Sequence, residues 1–232
     1  MNDRLAIFML DVGQGDSTLI LLPGDPVRAV VFDCADEDVL TKVLGDWKVE
    51  LIEAVILSHL DQDHIAGALQ FLQSFAGEIR HVYVPSADRD VSDAHDDAKR
   101  AKELLDHVKE HSRDVGPRKR RWELYSNARL PRPVVEGPGW AIRLLAPHHG
   151  QHIEREREGA WEDANRYSSI LRIEVGRNAM LIGGDAPLLS WSELTEAERS
   201  GARTCSGSHT TGAHSTTVVC RSAGMPPGCT AK

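Results

Sequence analysis

The sequence predicts an α/β sandwich of mixed sheets, and three observations carry that expectation. Short apolar or alternating runs recur along residues 5–182, many of them closed by Gly, Pro or Asp, which is how strands read. Helical patterns lie between these runs rather than at one end. The order is strand pairs first, then strand-helix units, then another pair of strands, which fits mixed sheets in layers better than a doubly wound parallel sheet.

In chain order, strands are expected over residues 5–10, 18–22 and 29–33. Gly13 and Gly15 separate the first two, where the backbone must turn tightly or approach another group closely. A helix is expected over 36–45. The strand over 54–57 leads through a short loop into a helix over 63–74, and the strand over 81–84 precedes a charged, amphipathic helix over 93–112. Strands over 142–145, 169–175 and 179–182 complete the pattern.

Composition narrows the class. The chain has 232 residues, 41% hydrophobic and 27% charged, which suits one domain with a sizeable core. No apolar run approaches the roughly 20 residues of a spanning helix. The apolar segment after Asp3 and Arg4 is too brief for a signal peptide, so a cytoplasmic location is expected. A net charge of −8 argues against a broad electrostatic grip on nucleic acid, and leaves room for a local basic patch or for an acidic site covered by metal. Cys34, Cys205, Cys220 and Cys229 form no Cys-x-x-Cys pair, so neither a zinc ribbon nor a disulfide framework is expected.

Composition changes abruptly at Arg199. From there to Lys232 the chain has no Asp, Glu, Leu, Ile, Phe, Tyr or Trp and so lacks the means to bury a core face. The expected organisation is a domain over 1–200, incomplete on its C-terminal side, and a disordered tail over 201–232.

The densest chemistry lies at Ser58-His59-Leu60-Asp61-Gln62-Asp63-His64-Ile65-Ala66-Gly67. An apolar strand ends where two His and two Asp follow in one loop. Imidazole and carboxylate are ligands for divalent cations, and a loop fixed between a strand and a helix can aim several at one point. Singly, each has a plainer reading: Asp63 as a helix N-cap, His59 as a satisfied loop histidine.

On these residues the chain resembles the metallo-β-lactamase superfamily, whose signature in this loop is His-x-His-x-Asp-His. Asp61 stands where the second His is usual, which looks like the branch that includes the soluble domain of the DNA-uptake protein ComEC. Asp11-Val12-Gly13-Gln14-Gly15-Asp16-Ser17, Asn165-x-x-Ser168 and Gly183-Gly184-Asp185 match further elements of that branch in the correct order. The resemblance implies an αβ/βα sandwich of two mixed β-sheets flanked by helices, with two divalent metal ions, Mn²⁺ or Zn²⁺. It places His59, Asp61 and Asn165 on one cation, Asp63 and His64 on the other, and Asp185 on both, with Asp63 and Asp185 as the catalytic carboxylates. Asp11, Gln14, Asp16, Ser17 and Ser168 are implied as groups that support the ligands or touch substrate, and Asp33 as support for the metal loop from behind. For the Gly13 to Ser17 stretch an ordinary hairpin turn is an equal reading.

Exchanging an imidazole for Asp61 adds negative charge and hardens the site. That favours Mn²⁺ or Mg²⁺ relative to Zn²⁺, and phosphate oxygens as the group polarised. The implied function is metal-dependent hydrolysis of a phosphodiester, in DNA or a nucleotide, by a hydroxide shared between the cations. Hydrolysis of a lactone, ester, thioester or β-lactam is the alternative enzyme reading, and an inactive truncated paralogue is the non-enzyme reading. The partner is a small-molecule or nucleic-acid phosphodiester, with no membrane segment. Pro117-Arg118-Lys119-Arg120-Arg121-Trp122 offers a phosphate-binding patch with Trp122 stacking on a base, or simply a solvated loop.

One family element is absent after Asp185: a Pro-His-His-Gly whose His completes the second metal site. Pro147-His148-His149-Gly150 has the letters but precedes Asn165 and Asp185, the wrong chain order, so its histidines are read as coincidental. Ser208-His209-Thr210-Thr211-Gly212, written TCC CAC ACC ACG GGG, gives Pro-His-His-Gly when read from the third nucleotide. The same frame through Met225 permits Leu, Asp, Glu and Trp, the types the tail lacks. A shift of reading frame near residues 201–203 is therefore expected, with the second metal site impaired in the chain as written.

Overall fold

The computed structural model describes residues 4–85, 96–112, 122–126, 129–147, 165, 168–199, 202–205 and 217–220. The histidines of the 147–150 stretch and the basic residues 117–121 lie outside them. Among the described residues, no helix is long and apolar enough to cross a membrane.

Two sheets face each other. The first begins with β1 (Leu5–Met9), β2 (Ser17–Leu22) and β3 (Arg28–Cys34), joined antiparallel, and continues in parallel through β4 (Leu51–Ile56), β5 (Glu78–Val84) and β6 (Glu123–Ser126). The second runs β7 (Val135–Gly137), β8 (Trp140–Ala146), β9 (Ile170–Val175) and β10 (Asn178–Ile182), all antiparallel. This is the mixed-sheet sandwich expected from the sequence.

Alternation in the strands divides the core. Along β2, Leu19 and Leu21 pack toward the helices, while Ile20 and Leu22 pack toward the second sheet beside Ile142, Leu144, Leu171 and Ile173. Because both faces are covered, Ser17–Leu22 is buried throughout, which the continuous Leu-Ile-Leu-Leu run anticipates. The helix layer comprises α1 (Glu37–Asp46), α3 (Ala68–Ser74) and α4 (Asp96–Ser112). In α1, Asp36 accepts a hydrogen bond from the Val39 N–H at 3.0 Å, and Leu40 and Leu44 face the core one turn apart. In α4 the buried stripe is Ala101, Leu104, Leu105 and Val108, so this charged, amphipathic helix is docked on the core by its apolar face.

Two expectations are corrected. The single helix over 63–74 is two, α2 (Gln62–Ile65) and α3, separated at Gly67. A Cβ on Gly67 would stand 2.5 Å from the Glu37 nitrogen, so only glycine lets α1 approach this closely, and the Gly67 N–H is donated to the Cys34 carbonyl. Trp122 does not offer its ring for stacking. It is 2% exposed in the helix-side core and donates its Nε1–H to the Val108 carbonyl at 3.3 Å, because its large apolar body gains most from burial. Within 201–232, β11 (Ala202–Cys205) runs parallel to β10 and β12 (Thr217–Cys220) antiparallel to β1. Open sheet edges leave backbone donors and acceptors to be paired, and the β-branched Thr217, Val218 and Val219 suit a strand.

Candidate metal site

The carboxyl ends of β3, β4 and β10 meet at one end of the sandwich. Asp33 occupies the next-to-last position of β3 with φ 60, in the left-handed region that a non-glycine residue rarely adopts, and it is fully buried. Three donors justify the charge. Its Oδ1 accepts from the Ser58 N–H at 2.6 Å, and its Oδ2 from the Ser58 hydroxyl at 2.6 Å and from His64 Nδ1 at 2.8 Å.

This arrangement sets both histidine tautomers. The Ser58 hydroxyl has one proton, committed to Asp33, so its oxygen accepts from His59 Nδ1 at 2.9 Å. The Ser168 oxygen, at 3.0 Å from the same nitrogen, is a second acceptor. His59 therefore donates through Nδ1 and carries its lone pair on Nε2, which is buried without a hydrogen-bond partner. His64 likewise gives Nδ1 to Asp33 and frees Nε2, which lies 3.8 Å from Asp185 Oδ2. The rings stand 4.0 Å apart between centroids. One ligand atom from each of His59, His64 and Asp185 falls within 4.8 Å of the others.

Electrostatics favour a cation here. Burial, together with the charge of His64, pushes His59 below its ordinary value. Burial also opposes a charged His64, but the hydrogen bond and charge of Asp33 outweigh it and raise His64 to about 9. A proton on His64 thus supplies the positive charge that the surrounding carboxylates attract. Burial raises Asp16 as well, helped by Asp33, Asp185 and Asp63 and resisted by His64. An orphaned, buried imidazole nitrogen converging with a second imidazole and a carboxylate, both imidazoles held by hydrogen-bonded partners from behind, fits a divalent cation.

The remaining expected residues divide by position. Asp61 Oδ2 is 3.6 Å from His59 Nε2, on a half-exposed side chain at the start of α2. Asp63 lies outside the cluster of three and acts on His64 and Asp16 by its charge, while its carbonyl accepts the Asp16 N–H at 2.9 Å. The Asn165 Oδ1 is buried with no hydrogen-bond partner. Ser17 is buried and accepts the Ala35 N–H at 2.8 Å, bracing the turn after β3. Asp11 and Gln14 are exposed, and Asp11 accepts from the Gly13 N–H within its own turn at 3.4 Å. Gly15, with φ +133, abuts the metal loop: a Cβ would meet the Asp63 carbonyl at 2.2 Å. The Gly-rich turn is therefore both a turn and a close approach, to protein rather than to ligand.

Sequence reading passed over Ser58 and Trp191. A carboxylate in a strand buried on both faces needs donors, and Ser58 at the end of the neighbouring strand is the signal for the first. Trp191 lies in α5 (Leu188–Ser192), donates Nε1–H to the Ala186 carbonyl at 2.9 Å, and sits where a Cβ on Gly183 would be 2.3 Å away. It thereby anchors the turn that presents Asp185.

With this geometry in hand, the profile of the Metallo-beta-lactamase superfamily matches residues 10–154. Similar solved structures include the metallo-beta-lactamase fold protein YhfI from Bacillus subtilis, with 16% identity, TM-score 0.45, and coverage of 78% of this chain and 62% of that one. Zn²⁺-bound PqqB from Methylobacterium extorquens gives 15% identity, TM-score 0.42 and coverage of 77% and 64%. Human tRNase Z, short form, gives 13% identity, TM-score 0.39 and coverage of 77% and 68%. The chain thus spans less than two thirds of the length of YhfI and of PqqB. No curated protein matches it.

Proposed function

This chain belongs to the metallo-beta-lactamase superfamily, and we propose that it is a metal-dependent hydrolase of phosphodiester bonds in DNA or a nucleotide. The observation that carries the reading is the convergence of His59 Nε2, His64 Nε2 and Asp185, with the buried His59 nitrogen lacking any hydrogen-bond partner. We assign His59, Asp61 and Asn165 to one cation, Asp63 and His64 to a second, and Asp185 to both. A divalent cation there supplies Lewis acidity, acidifying water and drawing charge from a phosphoryl oxygen. The protein's part is to fix the donors. Asp33 holds Ser58 and His64, and Ser58 and Ser168 hold His59, so both Nε2 atoms are aimed before a ligand arrives. Asp61, Asp63 and Asp185 make the donor set rich in hard oxygen, which favours Mn²⁺ and a phosphoryl group over a softer site.

The tail is read as out of frame. Support comes from β11, which runs parallel to β10 with Cys205 beside Ile182, so the chain leaves Cys205 at the sheet end that carries Asp185. The codons that read as Pro-His-His-Gly in the alternative frame follow Cys205 in the chain. Codons at Ser208 to Gly212 incompatible with the alternative reading would refute the shift.

Turnover decides the substrate class. Bis-nitrophenyl phosphate, single-stranded DNA and nitrocefin are assayed with Mn²⁺ and with Zn²⁺, on the chain as written and on the frame-restored chain. Cleavage of the phosphodiesters, stronger after restoration and lost in Asp185→Asn, is expected. A metal-loaded protein that cleaves nitrocefin or lactones and no phosphodiester would replace this reading with the carboxylic-ester class.

A further inference from the structure

The outer face of the five-stranded sheet holds a cavity of about 250 Å³ whose lining includes none of the metal-site residues. Arg143 and Arg172 stand directly opposite each other across β8 and β9, an arrangement of like charges that repels unless an anion intervenes. Glu174 is that anion: it accepts from Arg172 Nε at 2.7 Å and from Arg143 Nε at 3.3 Å. Burial would raise the Glu174 carboxyl, but these two hydrogen bonds and charges hold it below its ordinary value.

A second group of charges also lines the cavity. Arg129 pairs with Glu198 at 2.6 Å, and the Glu198 carbonyl accepts from Arg172. Glu198 belongs to α6 (Glu196–Arg199), and its other carboxylate oxygen accepts from the Thr195 N–H and hydroxyl at 2.7 and 2.8 Å. Among the described residues, three guanidinium groups thus line the cavity with two carboxylates. Arg143 is the group with donors to spare. It is 36% exposed, makes a single long bond through Nε, and its η nitrogens have no hydrogen bond among the described residues. The rest of the lining, Leu130, Pro131, Leu144 and Leu145, is apolar.

We propose that this cavity binds a small phosphate monoester with an apolar substituent, the phosphate on the Arg143 fork and the substituent against Leu130 and Pro131. A guanidinium fork matches two phosphate oxygens, which a lysine ammonium does not. Glu174 competes for the same guanidinium groups, so the site carries opposite expectations for two neighbouring side chains.

The test is calorimetric titration of the full chain with phenyl phosphate and with inorganic phosphate, in EDTA so that the histidine cluster holds no cation. Saturable binding of one equivalent is expected, tighter for phenyl phosphate. Arg143→Gln and Arg143→Lys should each weaken it about tenfold, Glu174→Gln should strengthen it severalfold, and Asp185→Asn should leave it unchanged. Urea midpoints close to wild type for the Arg143 variants confirm that they are folded. No saturable binding, equal affinity for the two ligands, affinity unaltered by Arg143→Gln, or binding lost only in Asp185→Asn would each overturn the proposal.

Discussion

In the seven-stranded sheet, β2, β3 and β4 are buried on both faces, between helices on one side and the second sheet on the other. The five-stranded sheet is buried on its inner face, while its outer face has a small cluster around Leu145, Ile170, Leu181 and Leu194 and the arginine-lined cavity. Beside that cluster, Leu188 and Leu189 of α5 are 84% and 58% exposed. The site straddles this difference. Its supporting network, Asp33 with Ser58 and both histidines, grows from the well-packed sheet, whereas Asp185 is presented by a turn anchored mainly through Trp191. The first sheet therefore fixes geometry, and the second brings in a carboxylate whose removal should leave the fold intact.

The sharpest way to break this contrast is to remove one carboxylate from each side. Asp33→Ala leaves the Ser58 N–H, the Ser58 hydroxyl and His64 Nδ1 without their buried acceptor, and should cost about 3–5 kcal/mol of stability. Asp185→Asn, on a partly exposed turn, should cost about 1 kcal/mol or less while still weakening metal binding. Urea unfolding of the two variants side by side checks the asymmetry.

Next in size is the pH dependence of the metal-free protein. His64 is raised from 6.5 to about 9 in the folded state, so its contribution is fully present below pH 6.5 and is lost as pH rises through about 9. Its side chain is buried, and the loss should be on the order of 3 kcal/mol. Urea midpoints in EDTA between pH 6 and 9.5 should fall accordingly, and Asp33→Asn should flatten the curve.

Backbone positions extend the comparison. Gly15→Ala would drive a Cβ into the Asp63 carbonyl, a backbone atom in the rigid half, and should cost about 2–3 kcal/mol. Gly13→Ala, with φ +74 and nothing within 4 Å, pays only backbone strain of about 1 kcal/mol. Gly183→Ala meets the Trp191 ring, a side chain in the thinly covered half that has room to shift, so about 1–2 kcal/mol is expected, with tryptophan fluorescence reporting the movement.

What the sequence revealed follows the same division. Strands β2, β3, β4, β9 and β10 were legible because apolar runs and alternation report burial directly, and the 58–64 cluster because four ligand types crowd one strand end. The convergence of His59 with His64 was not legible. The two were expected on different cations, and only the fold shows that Asp33 and Ser58 turn both Nε2 atoms toward Asp185. Strands β6 and β7 escaped notice because they are short and only partly buried, which leaves no clear period. The role of Trp122 was misread because an aromatic after a basic run looks the same whether its ring faces a base or a core; its Val108 hydrogen bond belongs to tertiary structure.

The central claim is that buried Asp33, through Ser58 and His64, fixes two imidazole nitrogens beside Asp185 so that the cluster binds divalent metal. Chelator-competition titration of Zn²⁺ and Mn²⁺ into wild type and Asp33→Asn tests it directly, with His59→Ala as the reference for loss of a ligand. Wild type should bind saturably, and Asp33→Asn should bind about 10–100-fold more weakly although the residue never touches the metal. Equal affinity in wild type and Asp33→Asn, or no saturable binding by either, would contradict the account.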